Sequence, residues 1–568
     1  MSNETGRRTD VLVVGGGCGG VAAVLSLVSR GISCILTEPT DWLGGQLTSQ
    51  GVPPDEHRWI EGDDGFFGAT RRYVAFRGAV RSWYRRHGRL SADALADRRL
   101  NPGGGWVSRL CFDPAVGERV LRDMLQPHIE CGHLEVLCGA NPVRAELNND
   151  RVASVAFRTA TGVTSVDAKY VLDATEFGDL YPLVGCRFML GAEGTNVFGE
   201  MHGRGDLGGS TDPDDQQAIS WCFALEHHPG EDHTIDKPAS YESWRSFVPE
   251  LTPPWPGPLF SWDIDDATDP RHLPMIPTPD EPAEGELELW RYRRLVAGHL
   301  HDPPKHDVSL WNIVQTDYFR RPAIAPGNDP YLHRDDVLAE AKEQARCFVR
   351  WLQTDAPRHD DGHGYPELKL AGDCLGTSDG FAKAVYVREP RRLLAETILT
   401  EKQVGIDQRV ADGVDRPGLG ERFADSVGIG HYMIDLHPTA AGRNSVYVKA
   451  APFEVPLGAL LPKAGQPGSA NLIAAGKAIG VSHVANGCTR LHPVEWTIGE
   501  AAGSLAAWCL ARGVRPHEVR ENLGELQGFQ ASLADDGGEL SWPDRVAEGV
   551  ERANCVDTAH GCGIFGLI

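Results

Sequence analysis

The sequence predicts an α/β protein: a parallel, Rossmann-like sheet plus β-meander, assembled from discontinuous segments, with an α+β substrate or cap domain set between them. Three observations carry this. The apolar run Asp10–Val14, the glycine turn Gly15–Gly20, the Ala/Val/Leu-rich stretch Val21–Ser29 and the apolar run Cys34–Thr37 spell a β-α-β unit of roughly 30 residues. From Leu134 to Ala174 the pattern changes to short β-rich runs parted by Asn-Asn-Asp and Thr-Gly turns, the mark of a meander returning to the sheet. Far downstream, Asn471–Ala475 and a small-residue helix from about Val494 to Arg512 restore the strand-then-helix rhythm.

Composition bounds the rest. Hydrophobic residues make up 41% of the 568 and charged residues 24%, an ordinary folded balance. Against 55 Lys and Arg stand 79 Asp and Glu, a net charge of −24 that repels a phosphate backbone, so no nucleic-acid partner is expected. No stretch reaches the ~18 apolar residues of a membrane span, and no membrane partner is expected. Arg7-Arg8 ahead of Val11–Ser29 imitates an export signal, but Asp10 interrupts the junction and no small-x-small cleavage pattern follows, so the expected location is cytoplasmic. The 13 cysteines include no C-x-x-C pair, which speaks against zinc ribbons, iron–sulfur runs and disulfide frameworks.

Gly15, Gly17 and Gly20 satisfy G-x-G-x-x-G directly after a strand and at the start of a helix, with Cys18 and Gly19 inside the turn. Gly15 permits the tight turn, Gly17 lets a diphosphate approach the backbone, and Gly20 lets helix and strand pack closely, while the helix amino terminus offers N–H groups to the anion. Glu38, followed by Pro39, closes the second strand where an acid accepts hydrogen bonds from ribose hydroxyls. Together these predict a dinucleotide site.

A glycine doublet, Gly44-Gly45, continues through Gln46 and Thr48 and follows the acid where nicotinamide domains have no reason to carry it. The arrangement resembles the glycine-doublet, glutathione-reductase-like flavoproteins. It points to FAD as the cofactor. Val171 to Asp179 resembles the Ala-Thr-Gly segment that closes the meander in the same group, through Ala174 and Thr175, with Glu176 standing where glycine is common. Further segments resemble the FAD-dependent oxidoreductase family grouped with the heterodisulfide reductase flavin subunit. They are Trp311-Asn312 with Asp317-Tyr318, Tyr386-Val387-Arg388-Glu389 with Arg391-Arg392, Tyr432 with Asp435 and His437, Pro452 to Leu457, Asn471 to Gly476, and Ser482-His483 with Arg490. The resemblance implies cofactor contacts from Gly476, Arg490 and, in the meander, Val143. In such a fold the helix starting near Pro493 would stabilise negative charge on the reduced flavin by ~0.3–2 kcal/mol, with Arg490 adding a full charge and Ala501, Ala502 and Gly503 permitting close helix–sheet packing.

Removing a hydride from carbon bearing oxygen or nitrogen needs a base for the O–H or N–H proton, and histidine is the side chain most easily tuned to that task. The resemblance places two well: His437, with Asp435 and Tyr432, and His492, beside Arg490. The run Arg388-Glu389-x-Arg391-Arg392 reads as a helical ion-pair network within a helical signal over Arg388–Glu401. His359-Asp360-Asp361-Gly362-His363, His227-His228 and His299-x-His301 read as polar loops, and no metal is expected.

The expected organisation is an FAD-binding domain from 1–54, 106–195 and 441–515, an inserted loop or lid at 55–105, a substrate or cap domain at 196–440, and a helical tail at 516–568. Gly418-Leu419-Gly420 and Gly428-Ile429-Gly430 lack the strand and helix of a second dinucleotide site. The favoured function is therefore a dehydrogenase or oxidase acting on a small organic substrate at a C–H next to nitrogen or oxygen, or desaturating a C–C bond. The alternatives are an NAD(P)H-dependent monooxygenase or halogenase, whose tryptophan-rich segments are superficially resembled by Trp255-Pro256 and Trp262-Asp263-Ile264 without the W-x-W-x-I-P spacing, and a non-catalytic electron-transfer subunit. A homodimer is left open. Arginine outnumbers lysine, which is absent from the first 100 residues, a bias consistent with specialised metabolite biosynthesis.

Overall fold

The computed structural model describes residues 5–57, 59–61, 67–264, 271–272, 289–358 and 360–546. Six strands follow one another through the first third: β1 (Thr5–Val14), β2 (Cys34–Glu38), β3 (Leu134–Cys138), β4 (Asn141–Asn148), β5 (Arg151–Thr159) and β6 (Gly162–Asp173). They lie in the order β3-β2-β1-β6-β5-β4, with β3, β2, β1 and β6 parallel and β6-β5-β4 an antiparallel meander. The last of the short β-rich runs forms one continuous strand, β6, from Gly162 to Asp173. Its first half pairs with β5, and its last three residues pair with β7 (Leu472–Ala474) on the same edge. The carboxyl-terminal segment thus completes the sheet opened by β1. Val11 to Val14 are buried throughout, as expected of a parallel strand covered on both faces.

Helix α1 (Cys18–Val28) has no exposed face, because it is enclosed by the sheet and by a late helix over His492–Arg512. A Cβ at Gly499 would sit 2.0 Å from the Gly19 carbonyl oxygen, and one at Gly503 would sit 2.4 Å from that of Ala23. The small residues of Gly499 to Gly503 therefore serve a helix–helix contact with α1, where the sequence suggested helix against sheet. Ser26 and Ser504 hydroxyls meet across it at 2.7 Å.

The region 55–105 is not an irregular lid. It contains α2 (Arg71–His87), started by Thr70, whose hydroxyl accepts from the Tyr73 N–H. Tyr73, Phe76, Val80 and Tyr84 recur at helical spacing and are buried, with Tyr73 and Phe76 against Trp496 of the late helix. Six arginines over 71–87 hid this period. Two of them, Arg77 and Arg81, are buried on the apolar face, where Glu56 and Glu61 neutralise them.

A second core lies around an antiparallel sheet of four strands, Arg294–Val296, Val308–Trp311, Phe223–His227 and Leu368–Leu370, in that order. Phe223, Trp311, Phe348 and Trp351 fill it, the last two from the helix Arg334–Thr354. The helix expected over Arg388–Glu401 is absent. Pro390 denies that stretch a backbone donor, and Arg392-Leu393 instead pairs as a strand with Phe188-Met189. Each arginine reaches a carboxylate of its own: Arg388 meets Asp317, Arg391 meets Asp179 and Arg392 meets Glu193. Only the Arg392–Glu389 pair, at 3.2 Å, is internal to the run.

After Pro516 two helices, Pro516–Glu521 and Leu523–Asp535, replace the single one expected; the apolar end Gly563–Ile568 and His359 lie outside the described residues. Among the described residues no helix is long and apolar enough to cross a membrane.

Candidate active site

The turn between β1 and α1 is glycine because backbone surrounds it. Gly15 has φ +101°, and a Cβ there would lie 2.3 Å from the Ala174 carbonyl oxygen; at Gly20 it would lie 1.9 Å from that of Gly15. At Gly17 the only atom nearer than 3 Å to such a Cβ belongs to a movable side chain, Glu176 Oε1. The turn is therefore closed by backbone at both ends and open in the middle. The Gly44-Gly45 doublet lies under it: both residues have positive φ, and the Gly44 N–H donates to the Gly16 carbonyl at 2.7 Å.

From this turn a cavity of about 370 Å³ opens along the carboxyl ends of the parallel strands, where open α/β sheets bind ligands. Eight of the anticipated cofactor residues line it: Gly15, Gly17, Glu38, Pro39, Gly45, Val143, Ala174 and Thr175. Glu38 Oε2 accepts from the Gly16 N–H at 2.9 Å while Oε1 accepts from Thr40, and burial raises its carboxyl to about 7 against those bonds. Cys18, Gly19, Gly20, Gly44, Gln46, Thr48, Gly476 and Arg490 are not among the lining residues. Gly19 and Gly20 pack on the Ala475 and Gly15 carbonyls, Thr48 ties its hydroxyl to the Leu43 carbonyl, and Gly476 backs onto Ala174. They shape the loop.

Over the open middle of the turn sit charges. Lys477 Nζ contacts Glu176 Oε2 at 2.6 Å and donates to the Val387 carbonyl at 2.8 Å. Glu495, in the first turn of the late helix, places Oε1 3.4 Å from the Gly19 N–H and accepts a short bond from Gln46. Burial lifts Glu495 to about 7, Lys477 opposing. The Glu495 carboxylate thus stands at the amino terminus of α1, on a donor that would serve a diphosphate, with Glu176 beside it.

Gln46 leads to the second half of the site. Its amide donates to the Arg490 carbonyl at 2.9 Å. The Arg490 guanidinium binds Asp435 Oδ2 at 3.0 Å and the Tyr386 hydroxyl at 3.1 Å. Asp435 Oδ1 lies 3.5 Å from His437 Nε2, and His437 Nδ1 lies 2.5 Å from Asp317 Oδ2. Asp317 is wholly buried and also meets Arg388 at 3.0 Å. Burial alone would raise both aspartates, but hydrogen bonding with His437 and the neighbouring Arg388 and Arg490 guanidiniums outweigh it and hold them below the usual range. Tyr432, Asp435 and His437 line a small cavity of about 50 Å³ with Tyr292, Arg293 and Asn312.

The five anticipated catalytic residues therefore meet in one cluster. His492 sits at its edge: Nδ1 accepts from the Asp55 N–H at 3.0 Å, and burial beside Arg293 holds the ring neutral, far below its ordinary pKa. Asp55 pairs with Arg293 at 3.2 Å. Asp317 and Tyr386 stood inside recognised motifs without an assigned role, Arg388 was read only as a member of an internal ion-pair run, and Lys477 follows Gly476. Asp55 and Arg293 lie in stretches with no motif and were not legible.

The sequence matches the family model of FAD dependent oxidoreductases over residues 10–533. The chain belongs to that family, and FAD is its cofactor. The narrower likeness to the heterodisulfide reductase flavin subunit is not carried by the comparisons. A search of curated proteins finds no match. Among solved structures, a geranylgeranyl bacteriochlorophyll reductase-like protein from Thermoplasma acidophilum is 10% identical, with TM-score 0.32, over 96% of this chain and 88% of its own. L-proline dehydrogenase from P. horikoshii is 14% identical, with TM-score 0.18, over 34% of this chain and 26% of its own. The myxobacterial chondrochloren halogenase CndH is 15% identical, with TM-score 0.20, over 40% and 45%. This chain spans less than half the length of the last two. The residues present fit the cofactor: the glycine cradle is backbone-walled where a side chain would intrude, open at Gly17, and continuous with a cavity reaching Glu38 and Val143.

Proposed function

We propose that the protein oxidises a small organic substrate at a C–H bond next to oxygen or nitrogen, with His437 as the base. The observation that carries this reading is the Asp317–His437 pair, one imidazole nitrogen bound to a buried carboxylate and the other directed at the cavity edge beside Asp435. Bound FAD supplies the two-electron acceptor, to be reoxidised by oxygen or another acceptor. Asp317 fixes the ring through Nδ1 and leaves Nε2 as the position that takes the substrate O–H or N–H proton. Arg388 and Ser220 hold Asp317 in place, and Arg490 holds Asp435. Gln46 ties this cluster to the glycine doublet through its bond to the Arg490 carbonyl.

The absence of a second nucleotide turn among the described residues supports entry of electrons from the substrate. Gly428 and Gly430 lie within the strand Ser426–Gly430, and Cβ atoms on them would strike Thr497 and Val494 of the late helix. The test is an anaerobic spectrum of the purified protein with panels of alcohols, amines and acids, then with NADPH, each followed by air. Bleaching by an organic donor and recolouring in air are expected. Bleaching by NADPH alone would replace this reading with a monooxygenase.

A further inference from the structure

The loop after the strand Phe223–His227 builds a donor cluster that the flavin chemistry does not use. His228-Pro229-Gly230-Glu231 is a tight turn with proline second and glycine third at φ +83°, closed by the Glu231 N–H on the His228 carbonyl at 3.1 Å. The turn folds Glu231 back on His228, placing Oε2 3.5 Å from His228 Nδ1, and the same oxygen lies 2.8 Å from His233 Nε2. The three donor atoms all fall within 4.8 Å of one another.

The backbone that presents them is fixed. The His228 and His233 N–H groups donate to the Glu367 and Pro366 carbonyls at 2.9 and 2.8 Å, and Gln353 donates to the His233 carbonyl at 2.8 Å. Glu226 Oε2 holds His228 Nε2 at 2.8 Å, and the ring stacks on His306 with centroids 4.0 Å apart. In the tautomer whose Nε2 proton goes to Glu226, His228 has a lone pair on Nδ1 facing the Glu231 carboxylate. A cation between those two atoms, a proton or a metal ion, satisfies both. A carboxylate behind a ring nitrogen is also the usual outer support of a metal-bound histidine.

We infer that His228, Glu231 and His233 bind a divalent transition ion of the zinc type, with water completing the sphere. Two imidazoles and one carboxylate suit Zn(II), whereas Mg(II) and Ca(II) prefer all-oxygen sets.

The experiment is calorimetric titration of Zn(II) into the full-length, FAD-loaded protein at neutral pH, with Mg(II) as control and the flavin spectrum as proof of folding. One equivalent should bind and raise Tm, and Mg(II) should not compete. Glu231→Gln should weaken binding about tenfold or more, Glu226→Gln by a similar factor, and His228→Ala with His233→Ala should abolish the equivalent. No saturable equivalent, or equal affinity in variants with an unchanged flavin spectrum, would overturn the proposal. Either result leaves the role of His437 untouched.

Discussion

Lys477 Nζ lies 2.6 Å from Glu176 Oε2, and the other oxygen of that carboxylate fills the space beside Gly17 and Gly45. Here the lysine lies between two carboxylates, Glu176 and the buried Glu495, and Glu495 occupies the Gly19 N–H, a donor an incoming diphosphate needs. Cofactor binding must therefore displace one carboxylate and inherit the lysine.

From this follows an expectation about affinity. Removing the Glu176 charge, as Glu176→Gln or Glu176→Gly, should tighten FAD binding, and Lys477→Met should weaken it. One charge contact at this depth is worth about 1.4 kcal/mol, or about tenfold. Titration of apoprotein with FAD, followed by quenching of flavin fluorescence, reads both. Weaker binding by Glu176→Gln would mean that the carboxylate holds the cofactor instead of yielding to it.

The proposed base makes a different prediction. His437→Asn should slow anaerobic reduction of the flavin by substrate by about 10²–10⁴-fold while leaving the resting flavin spectrum and FAD affinity unchanged. Asp317→Asn acts only through His437 and should cost about 10–100-fold, with Asp317→Glu recovering part of the loss. Stopped-flow reduction separates these from substrate affinity. An unchanged reduction rate in His437→Asn removes it from the chemistry.

Close packing of the late helix on α1 predicts a stability effect. The Cβ of Gly499→Ala would stand 2.0 Å from the Gly19 carbonyl, so the helices must part, at a cost of about 1–3 kcal/mol. Because Gly19 belongs to the glycine turn, FAD occupancy should fall as well. Gly205→Ala, with nothing within 4 Å, is the neutral control. Thermal melts and the protein-to-flavin absorbance ratio check both.

Burial raises four carboxyls, Glu38, Asp173, Glu200 and Glu495, to about 7. A group with a raised folded pKa binds more protons folded than unfolded. Its stabilising share is complete below its ordinary value and is lost as pH climbs through about 7. The apoprotein should therefore lose stability between about pH 6.5 and 7.5. His57 and His492, kept neutral by burial, act in the opposite sense and mainly below their ordinary 6.5. In Glu495→Gln, which keeps a hydrogen-bonding partner for Gln46, the slope should be shallower. Melts of apoprotein across this range decide it, and identical slopes would show that Glu495 is not protonated in the folded state.

What the sequence determined by itself was local. The β1-turn-α1 unit, Glu38, the doublet and the meander are set by strand period, glycine spacing and turn residues acting over a few positions, and they are found where the pattern placed them. The helix over Arg71–His87 escaped because its arginines, neutralised by Glu56 and Glu61, break the apolar period that marks a buried face. The helical reading of Arg388 to Arg392 failed for the converse reason: spacing that fits a helix face was satisfied by carboxylates distant in sequence. Only the tertiary structure brought Asp317 to His437, Asp55 to Arg293 and Glu176 to Lys477. Each pairing joins segments separated by over a hundred residues, and it is selected because a charge buried there without its partner would cost far more than the pair, which no local pattern records.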